Sequence, residues 1–187
     1  MSTQGLERAY ARTRSILVNV TPEQLSAPTP CRSWQVRDLL NHLIGATFFY
    51  AETLNTGAAP SPVEADFSSG DLIATYDEAA DRALTAFAAP GTEEKTVTLR
   101  LGPLPGRVFM GIAATDVLVH GWDLARATGQ PTDFEPELAE QLLDGARALL
   151  QPSLRGDDGK APFGLEQPAP ADACASDRLA AFLGRRV

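Results

Sequence analysis

At 187 residues, with a formal charge of -8, 44% apolar and 21% charged residues, the chain has room for one full-sized domain with a real core and a short appendage, and two domains would be cramped. This composition excludes global disorder. The acidic balance argues against nucleic acid or an anionic membrane surface as partner, since the only basic feature is the terminal Arg185-Arg186 pair. No apolar run reads as the ~20 residues that span a bilayer, and Met1 to Arg8 lacks a signal-peptide layout, so the expected location is the cytoplasm. Cys31 and Cys174 make no disulfide framework in a reducing compartment and read as a loop thiol or a small apolar filler.

Apolar residues recur at helical spacing through Leu6, Tyr10, Ile16 and Leu17, which predicts a first helix over residues 4 to 19. Thr21-Pro22-Glu23-Gln24 has the layout of a capping box and starts one short turn. A second long helix is expected from about Trp34 to Leu54, with Ser33 as its N-cap. Residues 57 to 69 read as a polar surface loop. A third helix follows from Gly70 or Asp71 to about Ala88, with Leu72, Tyr76, Ala79, Ala80, Ala83, Leu84 and Phe87 inward. Lys95 to Leu101 alternates and is an extended segment that must pair with another segment or lie across a helix. Gly102-Pro103-Leu104-Pro105-Gly106 reads as a turn, followed by a fourth long helix from Val108 to Ala127. A fifth helix, Pro136 to Leu150, has Leu138, Leu142, Leu143, Ala146 and Leu149 on its apolar side. Beyond Gln151 the composition shifts to Gly, Pro and Asp, and a last short helix spans Asp177 to Leu183. The acidic run Gly156-Asp157-Asp158-Gly159 is too short for an EF-hand loop.

The chemistry concentrates in Thr115 to Arg126 of the fourth helix. Asp116 and His120, one turn apart, sit about 40° apart on one face, and Asp123 lies within about 60° of His120. The intervening Val117-Leu118-Val119 makes this helix largely buried, and a buried carboxylate requires a hydrogen-bonded cation or a metal ion. The only other histidine, His42, lies in the apolar second helix, so His42, Asp116 and His120 form a candidate three-ligand set built from facing helices. Asp123 reads as a fourth ligand, as a partner that orients a histidine, or as the salt-bridge mate of Arg126. No nucleophile elbow, phosphate-cradling loop or His-Glu-x-x-His helix is present in the sequence.

Two stretches carry a family resemblance: Pro28-Thr29-Pro30-Cys31-Arg32-Ser33-Trp34-Gln35-Val36-Arg37-Asp38-Leu39-Leu40-Asn41-His42-Leu43 and Asp116-Val117-Leu118-Val119-His120-Gly121-Trp122-Asp123-Leu124-Ala125. They resemble the two signature blocks of the mycothiol-dependent maleylpyruvate isomerase N-terminal family, within the DinB/YfiT-like metalloenzymes. The resemblance covers roughly residues 5 to 150, and the tail from Pro162 to Arg186 is similar to one actinobacterial-type branch. It implies an all-α, DinB-like four-helix bundle over 5–150, with a short extended segment and a small C-terminal extension over 151–187. It implies a divalent metal held by His42, Asp116 and His120, zinc first, with nickel or another ion as alternatives. This sequence has Asp where other members have Glu or His. Only residues 151 to 187 stand where the isomerase has a substantial C-terminal domain, so the isomerase reaction is not carried over.

Three protein ligands leave a position open for water or a thiol, the arrangement of a catalytic site. The resemblance implies mycothiol as cosubstrate, and hence a low-molecular-weight-thiol transferase or isomerase-like enzyme acting on an unidentified electrophile. Trp34, Trp122 and Arg126 are the expected walls of the thiol pocket. A non-catalytic metal-binding helical protein and a small metal-dependent hydrolase are the alternatives. No nucleic acid and no membrane partner is expected, and a homodimer is left open.

Overall fold

The computed structural model describes residues 2–61, 65–100, 102–157 and 160–187. Leu101 of the expected extended segment, part of the polar loop, and Asp158 and Gly159 of the acidic run lie outside the described residues. The described chain is mostly helical, with one small two-stranded sheet. Helix α1, Thr3–Leu17, buries Leu6, Ala9, Tyr10, Thr13, Ile16 and Leu17, the stripe set by its helical spacing. The capping box beyond it forms as expected: Gln24 Oε1 accepts from the Thr21 N–H at 3.0 Å and opens a short 3-10 turn, Pro22–Ser26.

Helix α2, Val36–Thr56, starts two residues later than the sequence reading placed it, and its N-cap is Gln35, not Ser33. The cause is a local bridge between Pro28 and Gln35. The Trp34 carbonyl accepts from the Thr29 N–H at 3.2 Å and from its hydroxyl at 2.9 Å, while the Val36 N–H donates to the Ala27 carbonyl at 3.0 Å. Trp34 is thereby held outside the helix. Asp38 accepts from the Gln35 N–H at 2.9 Å and completes the cap.

Helix α3, Leu72–Ala88, is capped by Asp71, whose carboxylate accepts from the Ala74 N–H at 3.0 Å. Its buried face is Tyr76, Ala79, Ala80, Ala83, Ala86 and Phe87, while Leu72 and Leu84 are only half-buried. The alanine stripe lets neighbouring backbones approach closely.

The predicted turn at 102–106 is instead a strand. β1, Thr96–Leu99, pairs antiparallel with β2, Gly102–Pro105, with Thr98 opposite Pro103 and Thr96 opposite Pro105. The two prolines concealed it, because proline has no N–H for a ladder. Here none is needed at Pro103: the Thr98 N–H donates to the Gly57 carbonyl and its own carbonyl accepts from Ala59, both on the other side of β1. Thr96 and Thr98 point the same way, so both prolines fall at non-hydrogen-bonded pairs.

Helix α4, Gly106–Thr128, ends at Gly129 in the left-handed region and buries 14 of its 23 residues, counted from Gly106 to Ala125. By length and mean hydropathy α4 meets the requirement for crossing a bilayer, which the sequence reading granted to no segment; 72% of the qualifying window is buried within this fold. Helix α5, Pro136–Leu149, and helix α6, Ala175–Phe182, complete the chain. Helices α1 and α2 each pack against α3 and α4, α5 packs on α4 and α6, and α6 returns to α4. The side of α4 that α1 covers depends on a glycine. A Cβ at Gly121 would lie 2.4 Å from Thr13 Oγ1, the hydroxyl that donates to the Val117 carbonyl at 3.0 Å.

Gly121→Ala is therefore expected to lower stability by about 2 kcal/mol through overpacking, read as a shifted urea midpoint with unchanged slope. Adding Thr13→Ala should recover part of the loss; strict additivity of the two changes would show that the close approach is not the cause.

Candidate metal centre

His42 is projected by the middle of α2 and Asp116 and His120 by successive turns of α4. Packing of α2 on α4 brings the three together. Asp116 Oδ1 lies 3.4 Å from His42 Nε2 and 3.3 Å from His120 Nε2, and one ligand atom from each residue lies within 4.8 Å of the others. The rings of His42 and His120 meet edge to face at 4.7 Å, and Trp34 leans over both, at 4.7 and 5.6 Å between centroids. The local bridge that keeps Trp34 out of α2 is what aims it here.

The second oxygen, Asp116 Oδ2, is buried without a hydrogen-bond partner. A carboxylate oxygen in that state is costly. It is the other oxygen, Oδ1, that lies beside the two imidazole nitrogens, and one donor atom from each of the three residues within 4.8 Å of the others is a nitrogen and carboxylate set that fits a divalent metal. Burial works to raise the Asp116 carboxyl, but His120 and His42 outweigh it and hold it well below the usual carboxylate range. Behind it, burial and the Asp116 charge push the Tyr50 phenol well up, so that side chain stays protonated.

His120 is held from its other side. Its Nδ1 lies 2.9 Å from Asp123 Oδ2, which leaves Nε2 directed at Asp116. Asp123 is wholly buried and its partner is not Arg126. Arg185, from the last residues of the chain, donates Nη2 to Asp123 Oδ2 at 3.0 Å and Nε to Oδ1 at 3.2 Å. Burial would raise the Asp123 carboxyl, but Arg185 and then His120 bring it down to about 2. Burial opposes the His120 charge, yet Asp116, Asp123 and Cys31 carry its pKa well above the ordinary value. Cys31, read from sequence as a loop thiol, joins this group: its Sγ lies 3.4 Å from Asp123 Oδ2 and 3.4 Å from Arg185 Nη2.

His42, Asp116, His120 and Trp34 line a cleft of about 1180 Å³ between α4, α5 and the C-terminal segment. The other two expected walls lie elsewhere. Trp122 is buried against α6 and donates its indole N–H to Asp177 at 2.8 Å, and Arg126 lines a smaller groove beside Pro28 and Arg186. Cys31, Tyr50 and Arg185 escaped the sequence reading. Cys31 carried a weak signal, its place three residues before Trp34 in the first block. Arg185 carried none, since its partner is 62 residues away.

Fold and cluster together define a mostly helical protein with two histidines and a carboxylate gathered at the wall of a large cleft. Residues 6–125 match the mycothiol maleylpyruvate isomerase N-terminal domain family, and the chain belongs to that family. Two uncharacterized proteins of Mycobacterium tuberculosis, MT0763 and Rv0738, are each 46% identical to it over 187 residues, covering 100% of this chain and 97% of the relative.

The Asp123 group makes a signed prediction for acid stability. Its carboxyl is depressed to about 2, so its contribution is full above the ordinary value near 4 and is lost as pH falls toward about 2, a loss of about 2 kcal/mol. Asp123→Asn should be less stable at neutral pH by about 3 kcal/mol, since Arg185 is left buried without its anion. Its melting temperature should also fall less steeply than the wild type's between about pH 5 and pH 2.5. Parallel pH profiles would show that Asp123 does not carry this dependence.

Proposed function

We propose that this protein is a divalent-metal-dependent enzyme that uses a low-molecular-weight thiol of the mycothiol type to attack an electrophilic substrate, with His42, Asp116 and His120 as the metal-holding residues. The observation that carries the reading is the convergence of one donor atom each from His42, Asp116 and His120, within 4.8 Å of one another, at the wall of the cleft. Membership of a mycothiol-related family supplies the thiol class. Helices α1 to α4, in which α1 and α2 each pack on α3 and α4, are read as a DinB-like four-helix bundle over residues 5–150, with 151–187 as an extension that walls the cleft. The free thiols of Cys31 and Cys174 suit a cytoplasmic location.

Two nitrogen donors and one carboxylate suit zinc, with nickel as an alternative. A divalent ion held there lowers the pKa of a coordinating thiol or water. The chain's own residues do the rest. Asp123 accepts the His120 Nδ1–H and so fixes the tautomer that presents the Nε2 lone pair. Arg185 keeps Asp123 ionised and in place. Trp34 covers one side of both imidazoles and restricts water there. The fold stands on an extensive apolar core, so the metal adds stability without being required for folding.

Chelation of the loaded protein should lower the melting temperature while the helical circular dichroism spectrum persists. His120→Ala should abolish stoichiometric zinc binding measured by calorimetry, whereas Asp123→Asn should weaken it by roughly 10–100-fold. Mycothiol added to the cobalt-loaded protein should produce a thiol-dependent near-ultraviolet absorption band. A fully loaded protein that shows no such band is a hydrolase or a non-catalytic metal protein; one that binds no metal overturns the reading altogether.

A further inference from the structure

The cleft extends far beyond the three candidate ligands, and the stripes that α4 and α5 turn toward it are mostly apolar, with Gln141, Asp157, Lys160 and Gln167 among its polar lining. From α4 it is lined by Val108, Gly111, Ile112, Thr115, Asp116 and Val119, positions at the three- and four-residue spacing of a single helical stripe. From Val108 to Asp116 that stripe runs about 12 Å at 1.5 Å per residue. The facing stripe of α5 contributes Leu142, Gly145, Ala146 and Leu149. Gly111 and Gly145 both leave open space where a side chain would stand, which keeps the groove between the helices unfilled.

Three large apolar side chains are markedly exposed among the described residues, and two of them, Leu149 at 48% and Leu165 at 62%, line this cleft. Exposed apolar surface gathered in one concave place marks a binding site for an apolar group. At the end nearest Cys31 and His120, the rim carries Arg32 and Arg186, which also share the adjoining smaller groove. Both arginines are exposed, and neither makes an ion pair among the described residues. Arg107 lines the cleft beside Val108 on α4, but only Arg32 and Arg186 stand together, and in a chain of net charge -8 that pair of guanidinium groups beside an apolar groove complements an anionic head on an apolar body.

We propose that the cleft binds an amphiphilic organic anion, a monocarboxylate whose head lies between Arg32 and Arg186 and whose hydrocarbon body lies in the α4–α5 groove over Ile112, Leu142 and Leu149. This places the carbons next to the carboxylate nearest to His42, Asp116 and His120. The inference names the substrate class for the cleft in the proposed thiol-transfer reading, and it rests on that reading only for calling the bound anion a substrate.

Calorimetric titration of the metal-free full chain tests it, since no metal is then available to bind a carboxylate. The probes are decanoate kept below micelle formation, decanol as its neutral counterpart, and succinate as a small dianion without an apolar body. Decanoate should bind at least about tenfold more tightly than either of the others. Arg32→Ala combined with Arg186→Ala should bring decanoate down to the level of decanol. Gly145→Leu, which raises helix propensity on α5 while filling the groove, should weaken decanoate by about tenfold and leave the zinc affinity of the loaded protein unchanged. Equal binding of decanol would reduce the site to an apolar groove and overturn the proposal. So would tighter binding of succinate, unchanged binding in the two variants, or association with phosphatidylglycerol vesicles without binding of monomeric decanoate. Failure of zinc binding with decanoate binding intact would overturn the metal reading alone.

Discussion

Asp123 has no exposed surface, and the interior tolerates its charge only because three separate parts of the chain converge on it. Stripping a carboxylate of water costs several kcal/mol even after relaxation, and only well-formed hydrogen bonds to cations offset it. Arg185 supplies two of these from the C-terminal tail, His120 supplies one from the next turn of the same helix, and Cys31 closes the group from the loop before α2. One buried charge thus determines where the tail must lie, which nitrogen of His120 is left free, and how close the loop carrying Trp34 comes to α4. The tail is further pinned where Gly164 and Gly184 pass so closely that a Cβ at Gly184 would lie 2.6 Å from the Gly164 Cα.

Helix α4 is the other half of this arrangement. It is apolar on nearly every side because it has neighbours on nearly every side: α1 through the gap at Gly121, α2 across the histidines, and α5 and α6 beyond. A polar group on such a helix has no solvent to turn to. Asp116, Asp123 and His120 therefore satisfy one another and their neighbours, with Asp116 Oδ2 as the group left over. Asp116 as a residue lies at the wall of the cleft with Oδ1 beside the two histidines, while Oδ2 is enclosed behind it.

The C-terminal segment has two roles that its composition does not announce. Gly156, Phe163 and Leu165 wall the cleft opposite α4 and α5, and Arg155 holds the segment together by donating to the carbonyls of Gly164 and Phe182. The family match ends at residue 125. Much of what lines the cleft, including every α5 residue in its wall and Leu183 to Arg186, comes from outside the matched region.

The amino-acid sequence by itself determined the helices, because period 3.6 burial of Leu, Ala, Ile and Val is a local property that neighbours in the chain report. It also brought His42, Asp116 and His120 into one set, since polar groups on apolar helices are conspicuous and Asp116 and His120 are fixed on one face by helix geometry. Where the sequence reading failed, pairing over distance had decided. The strand at Gly102–Pro105 was hidden because its prolines are tolerated only through the outward bonds of Thr98 to Gly57 and Ala59. The displaced start of α2 follows from Trp34 being held by Thr29, and the burial of Trp122 from its bond to Asp177 on a later helix. The partner of Asp123 was open to the same ambiguity: Arg126 is the near cation in sequence and Arg185 the near one in space. Tertiary structure alone chose between them, because a buried carboxylate pairs with the cation that packing delivers into the interior, and Arg126 points to the surface.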